Sequence, residues 1–185
     1  WERYYWKRAN RLVAVSQEDA KIMQASVKGL RVDLVPNGVG EDFEKVRPQL
    51  HYNHTILYQG NYKWMQNWEA AEILARDVFP LIKEKVADAK LIINGQFPTA
   101  ELRRRASADI AVTEHEDTDR QAVVDAYLKA GLLVAPIYGP GGTRLKILAA
   151  MASMVPVVTT PLGFEGYGAV DGESILVGKT PRDLA

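Results

Sequence analysis

Short apolar runs alternate with longer amphipathic stretches along most of this chain, and that alternation limits the fold more than any single motif does. Residues 12–15, 32–35, 55–58, 91–93, 110–112, 132–137, 155–159 and 174–177 read as strands, each bounded by turn or capping residues. Between them, Trp68, Ala71, Ile73, Leu74, Val78, Leu81 and Ile82 recur near the 3.6 period and predict one long helix over residues 66–85. Val123, Ala126, Tyr127 and Ala130 predict another over residues 119–130. Ser16 with Asp19 three residues on reads as a helix start, and Gly29 as the stop. Strand and helix in strict turn give an α/β fold, a parallel sheet with helices on both faces. Residues 40–52 carry charge, Pro48 and no period, and read as a linker.

In open sheets of this kind, ligands bind beyond the carboxyl ends of the strands. The loops expected there are residues 60–63, 94–96, 113–117, 139–143 and 160–168, and four of the five carry glycine, which suits a small-molecule crevice. The stretch after the 132–137 run is the most suggestive: Gly139-Pro140-Gly141-Gly142 turns into an amphipathic run from Thr143 to Ser153. A glycine turn opening a helix leaves backbone N–H groups free for an anion, and Arg144 and Lys146 add positive charge. The other reading is a tight turn whose glycines only satisfy backbone angles; both stand at this point. The stretch matches neither G-x-x-x-x-G-K-[ST] nor G-x-G-x-x-G. Lys63 reads either as a phosphate ligand across the crevice or as a solvated side chain, and Trp64 and Trp68 as packing residues. Glu114, His115, Glu116 and Asp117 read as a solvated acidic loop, and Arg103, Arg104 and Arg105 as an exposed helix end. No Ser/His/Asp order and no paired carboxylates at adjacent strand ends supply a general base, so no catalytic residue is assigned.

Lys+Arg and Asp+Glu both total 23, so no net field attracts nucleic acid or an anionic membrane. With no cysteine, disulfides, thiolate metal sites and thiol nucleophiles are excluded, and His51, His54 and His115 lack metal-ligand spacing. No apolar run reaches the roughly 18 residues that span a bilayer, and residues 1–7 do not resemble a signal peptide. The first residue is not Met and the last few open a helix, so the sequence reads as a piece of a longer protein.

In order along the chain, several segments resemble the second half of a family 4 glycosyltransferase of GT-B architecture. Residues 9–19, ANRLVAVSQED, look like the last strand and helix of that family's acceptor-side domain. Val35-Pro36-Asn37-Gly38-Val39 looks like its crossing into the donor-side domain, and Leu57-Tyr58-Gln59-Gly60-Asn61 with Trp64 and Asn67 like the first donor-domain strand. Gly141-Gly142-Thr143-Arg144-Leu145-Lys146-Ile147-Leu148, Ala150-Met151-Ala152, Pro156-Val157-Val158-Thr159-Thr160 and Glu165-Gly166 match its signature region. The resemblance implies a Rossmann-like domain over residues 54–185, a linker at 41–53, and the tail of the acceptor-side domain at 1–40. It implies retaining transfer of a sugar from a nucleotide-diphosphate donor, without cofactor or metal, in the cytoplasm and in the service of polysaccharide biosynthesis. The partners it implies are the nucleotide sugar and the missing acceptor-binding half. Gly60, Asn61, Lys63, Gly141, Gly142, Thr143 and Arg144 would hold the diphosphate, and Gly95, Thr113, Leu145 and Ala149 the ribose and base.

One position departs from the family. Members have a glutamate at the place of Ala149, and the branch reading GGTRLKILEAMA keeps it. That carboxylate holds the ribose hydroxyls, and hydrogen bonds to charged groups are worth about 1.5–3 kcal/mol each. Its loss implies an impaired donor site, or a site in which another residue such as Glu165 substitutes, or else a pseudoenzyme that keeps the fold alone. Met154 in place of the usual glycine is a smaller departure. An epimerase of the same architecture would need acidic catalytic residues that have no counterpart here.

Overall fold

The computed structural model describes residues 1–44, 53–116, 119–139, 144–166 and 168–185. The first part holds helix α1 (Glu2–Trp6), strand β1 (Leu12–Ala14), helix α2 (Gln17–Ser26) and strand β2 (Val32–Leu34). β1 and β2 pair in parallel, Leu12 opposite Val32. Ser16 caps α2, its hydroxyl accepting the Asp19 amide at 3.0 Å, and Gly29 follows with a φ of +79° that suits glycine.

A short helix α3 (Glu41–Glu44) precedes the larger unit. There, strand β3 (Thr55–Asn61) leads through helix α4 (Met65–Ile73), a wide π turn (Leu74–Val78) and helix α5 (Phe79–Lys85) to strand β4 (Lys90–Gln96). Helix α6 (Ala100–Arg104), strand β5 (Ile110–Glu114), helix α7 (Arg120–Lys129) and strand β6 (Leu132–Ala135) follow. Helix α8 (Leu145–Ala152), strand β7 (Val157–Thr159), helix α9 (Pro161–Phe164), strand β8 (Leu176–Val177) and helix α10 (Pro181–Leu184) complete the chain. All the strand pairs are parallel, in the order β5-β4-β3-β6-β7-β8.

Alternation along β3 divides the core. Ile56 and Tyr58 join Ala71, Leu74, Val78, Leu91 and Ile93 on the face covered by α4 and α5. Leu57 turns the other way and joins Tyr127, Leu133, Ile147 and Ala150 under α7 and α8. Helices thus cover both faces, as the alternation in the sequence predicts.

The structure differs from the sequence reading in three informative places. The single helix expected over residues 66–85 is interrupted by the π turn, which lies just before Pro80. Proline has no N–H to give the carbonyl four residues back, and its ring crowds that carbonyl; widening the helix there accommodates both. β3 and β4 run past their apolar stretches, with Gln59, Gly60 and Asn61 opposite Asn94, Gly95 and Gln96. A parallel ladder pairs backbone groups whatever the side chains, so these polar residues extend strands that read as loops. Finally, α3 lies within the expected linker. Its four residues are too few for any period, and it is held by tertiary contact, Phe43 packing edge-on to Tyr127 at 5.6 Å between ring centroids.

Candidate functional site

Counting from β3, the larger sheet has the order 3-2-1-4-5-6, and its direction of winding reverses between β3 and β6. Outside the carboxyl ends of strands at such a point a crevice is forced open. A cavity of about 600 Å³ lies there, between the end of β3, the start of α8, the flank of α7 and residues 38–43.

Lys146, in the first turn of α8, forms its floor. Its ammonium donates to the Tyr58 hydroxyl at 2.8 Å and to Asn67 Oδ1 at 2.7 Å, and lies 4.2 Å from the Tyr58 ring centroid. The orientation of the Asn67 amide is fixed because its Nδ2 donates to the Asn61 carbonyl at 2.9 Å. Tyr127 donates its hydroxyl to the Lys146 carbonyl at 3.1 Å, tying α7 to the same turn. Arg144 stands beside it, one guanidinium N–H on the Gly139 carbonyl at 2.8 Å and its buried Nε without a partner among the described residues. None of the ion pairs among the described residues involves Arg144 or Lys146.

Two cations facing a cavity, neither paired with a carboxylate among the described residues, make a site for an anion. Burial, and after it the Arg144 charge, lower the Lys146 pKa from its ordinary value to about 7. Burial likewise pushes the Tyr58 phenol well above its usual range, so the hydroxyl stays a neutral partner. The depressed lysine pKa has a consequence for stability. Between about pH 7 and the unfolded lysine value of about 10.4, the unfolded chain binds the extra proton, so this group favours folding increasingly as pH rises. Below pH 7 both states are protonated and the full cost of the buried charge is present. Relative to wild type, Lys146→Met is therefore expected to be more stable at about pH 6 than at about pH 9. Urea melts of both chains at the two pH values check this, and an equal difference at both would contradict it.

A second feature is a directional chain of polar side chains across the strand ends. Thr113 donates its hydroxyl to Asn94 Oδ1 at 2.6 Å, Asn94 Nδ2 donates to Gln59 Oε1 at 2.8 Å, and Gln59 Nε2 donates to His115 Nε2 at 3.0 Å. His115 must then carry its proton on Nδ1, which donates to the Glu116 carbonyl at 3.0 Å. The chain fixes every amide orientation and one histidine tautomer, and it delivers Gln59 and His115 to the cavity wall.

Of the residues assigned to the donor from the sequence, Gly60, Asn61, Arg144, Leu145 and Ala149 line this cavity. Gly95 lies behind the wall at φ +152°, where a Cβ would sit 1.8 Å from the Gly60 carbonyl oxygen. Thr113 serves the polar chain. The Lys63 ammonium sits 3.5 Å from the Phe97 ring centroid and is not part of the lining. The cationic floor comes instead from Lys146, which the sequence shows only as charge beside a turn. Gly141, Gly142 and Thr143 lie outside the described residues, as does Asp117. Trp64 stands on the rim, 65% exposed, whereas Trp68 packs against the core. Arg103 and Arg104 pair with Glu114 and Glu101, and Arg105 reaches inward to the buried Glu72 at 2.8 Å. Glu165 is exposed and takes no part in the lining.

Residues 53–185 match the family described as glycosyl transferases group 1. The chain belongs to this glycosyltransferase family. It is 28% identical over 134 residues to an uncharacterized 44.6 kDa protein in the cps region of Klebsiella pneumoniae, a match covering 68% of this chain and 34% of that protein. Its fold is similar to that of S. aureus TarM, in a mutant complex with fondaparinux, alpha-GlcNAc-glycerol and UDP. The TM-score is 0.73 at 13% identity, over 99% of this chain and 37% of that one. It is also similar to Anabaena HepE in complex with UDP-glucose, with a TM-score of 0.70 at 14% identity, over 100% of this chain and 56% of that one. The chain thus spans about a third of the curated relative it matches and between a third and just over half of these structures. The resemblance to GT-B glycosyltransferases and the Rossmann-like fold expected from it are both borne out. Among the described residues, no helix is long and apolar enough to cross a membrane.

Proposed function

We propose that this chain is the donor-binding part of a retaining glycosyltransferase, holding a nucleotide-diphosphate sugar in the cavity between β3 and α8. The observation that carries the reading is the pair Arg144 and Lys146, two cations on a cavity wall with no carboxylate partner among the described residues. A diphosphate supplies the missing counter-charge, and the neutral groups of Gln59, Asn61 and Asn67 offer hydrogen bonds around it. The structures of HepE with UDP-glucose and of TarM with UDP favour a nucleotide as the anion. In this reading residues 1–40 belong to the acceptor-side half, 41–53 join the halves and 54–185 bind the donor. The reaction uses no metal or other cofactor, the two cations neutralising the diphosphate leaving group instead. A cytoplasmic setting, where nucleotide sugars are made, suits such a donor, and polysaccharide biosynthesis suits a sugar transferred to an unknown acceptor. By itself the chain binds donor and transfers nothing, because the acceptor-binding half lies elsewhere.

Calorimetry with UDP and GDP at millimolar concentration tests the reading, and absence of heat with both would sink it. Because a diphosphate favours the charged lysine, binding near pH 8 should take up a proton, and affinity should fall from about pH 7 to about pH 9. The heat should accordingly vary with the ionisation enthalpy of the buffer; a buffer-independent heat would contradict a role for Lys146.

A second reading, a domain that keeps the fold without donor chemistry, is favoured by Ala149, whose methyl lines the cavity where the family has a glutamate. Ala149→Glu distinguishes the two. In a donor site with one part missing, it should strengthen UDP binding more than about tenfold. Unchanged affinity would favour the second reading.

A further inference from the structure

The ribose end of the cavity is left without its family carboxylate by Ala149, and Glu165 does not reach the lining. Asp42 does. It is the one carboxylate among the described residues that line the cavity, and it comes from α3, in the segment that reads as a linker. Two contacts hold it there. Arg120 Nη1 donates to Asp42 Oδ2 at 3.2 Å, and the neighbouring Phe43 packs on Tyr127, which itself bonds the Lys146 carbonyl of α8. α3 is thereby fastened to the two helices that form the opposite side of the cavity.

The chemistry of the remaining wall narrows what Asp42 can do. Each amide and imidazole acceptor there already takes a hydrogen bond, Gln96 Oε1 from Asn61 among them. Gln59 Oε1 takes Asn94, Asn61 Oδ1 takes the Lys63 amide, Asn67 Oδ1 takes Lys146 and His115 Nε2 takes Gln59. Asp42 Oδ1 has no partner among the described residues. A carboxylate repels phosphate, so it suits the uncharged, hydroxyl-bearing end of a nucleotide, and its two oxygens can accept both O–H groups of a vicinal diol.

We propose that Asp42 accepts the ribose hydroxyls of the nucleotide in this cavity, the task that Ala149 cannot perform; this rests on the donor reading above. The residue is a binding group recruited from outside the helix where the family keeps it, and Arg120 holds it in place.

The test is calorimetry of wild type, Asp42→Asn and Arg120→Gln with UDP, 2′,3′-dideoxy-UDP and inorganic pyrophosphate. Wild type should prefer UDP over its dideoxy form by about 10- to 150-fold. In Asp42→Asn that preference should shrink to below about threefold while pyrophosphate affinity stays within about twofold of wild type. Arg120→Gln, which keeps the carboxylate, should retain most of the preference. A full preference in Asp42→Asn overturns the assignment. So does an equal loss in both variants, which would make the ion pair a prop for α3. A wild-type chain that binds neither UDP nor GDP fails earlier, at the donor reading, and removes this role with it.

Discussion

Lys146→Met should weaken UDP binding by roughly 30- to 4,000-fold and leave the protein folded. Truncating one partner of a desolvated, hydrogen-bonded charge pair costs about 2–5 kcal/mol, and each 1.4 kcal/mol is about a factor of ten in affinity. Lys146 fits that case, since its ammonium is enclosed by Tyr58 and Asn67 and has no carboxylate beside it. The fold should survive because methionine fills similar space and removes a buried charge instead of stranding one. Tyr58 and Asn67 lose their shared donor, but the Tyr58 hydroxyl already stands 3.5 Å from Asn67 Oδ1 and can close onto it. Calorimetry read beside a thermal melt separates the two effects. Binding within about threefold of wild type would remove Lys146 from the anion site. A collapsed melt would show that the lysine is structural.

Gly95→Ala should act the other way, on the fold first. The new methyl would lie 1.8 Å from the Gly60 carbonyl oxygen and 2.8 Å from its carbon, so a backbone atom of the neighbouring strand would have to move. The φ of +152° adds strain of its own, because L side chains rarely adopt it. Overpacking costs about 1–3 kcal/mol and a residue in such a region another 1–3 kcal/mol. Their sum is a large part of the roughly 5–15 kcal/mol that holds an ordinary domain together. The melting temperature should fall by about 4–24 °C, at about 2–4 °C for each kcal/mol in a chain of this size. A variant that melts within a degree or two of wild type would mean that β3 and β4 do not approach so closely.

Much of the fold can be read in the sequence because it is written locally. Alternating runs and helical periods locate the strands and the long helices, and Ser16 caps α2 as capping chemistry predicts, whereas α2 closes at an extended Val27 and the expected stop, Gly29, lies in the turn beyond it. The polar ends of β3 and β4 are not written locally, since Gln59, Gly60 and Asn61 look like a loop until their partner strand is known. Lys146 is harder still. Its significance comes from Tyr58 and Asn67, 88 and 79 residues away, and no short pattern encodes that meeting. Lys63 attracts notice because it follows a glycine loop, yet its ammonium settles over Phe97. Asp42 and Phe43 sit where composition reads as linker, and only their contacts with Arg120 and Tyr127 reveal a wall.

That wall has a thermodynamic consequence. Residues 38–43 precede β3 in the chain, yet they share one cavity with α7 and α8, which come much later. A ligand that touches both sides therefore spends part of its binding free energy on keeping α3 docked. By linkage, occupancy stabilises the docked arrangement by RT ln(1 + [L]/Kd), about 2.7 kcal/mol when the ligand is at a hundred times its dissociation constant. Residues 38–43 are thus the stretch of backbone whose amide exchange and susceptibility to proteases would report directly on whether the pocket is filled.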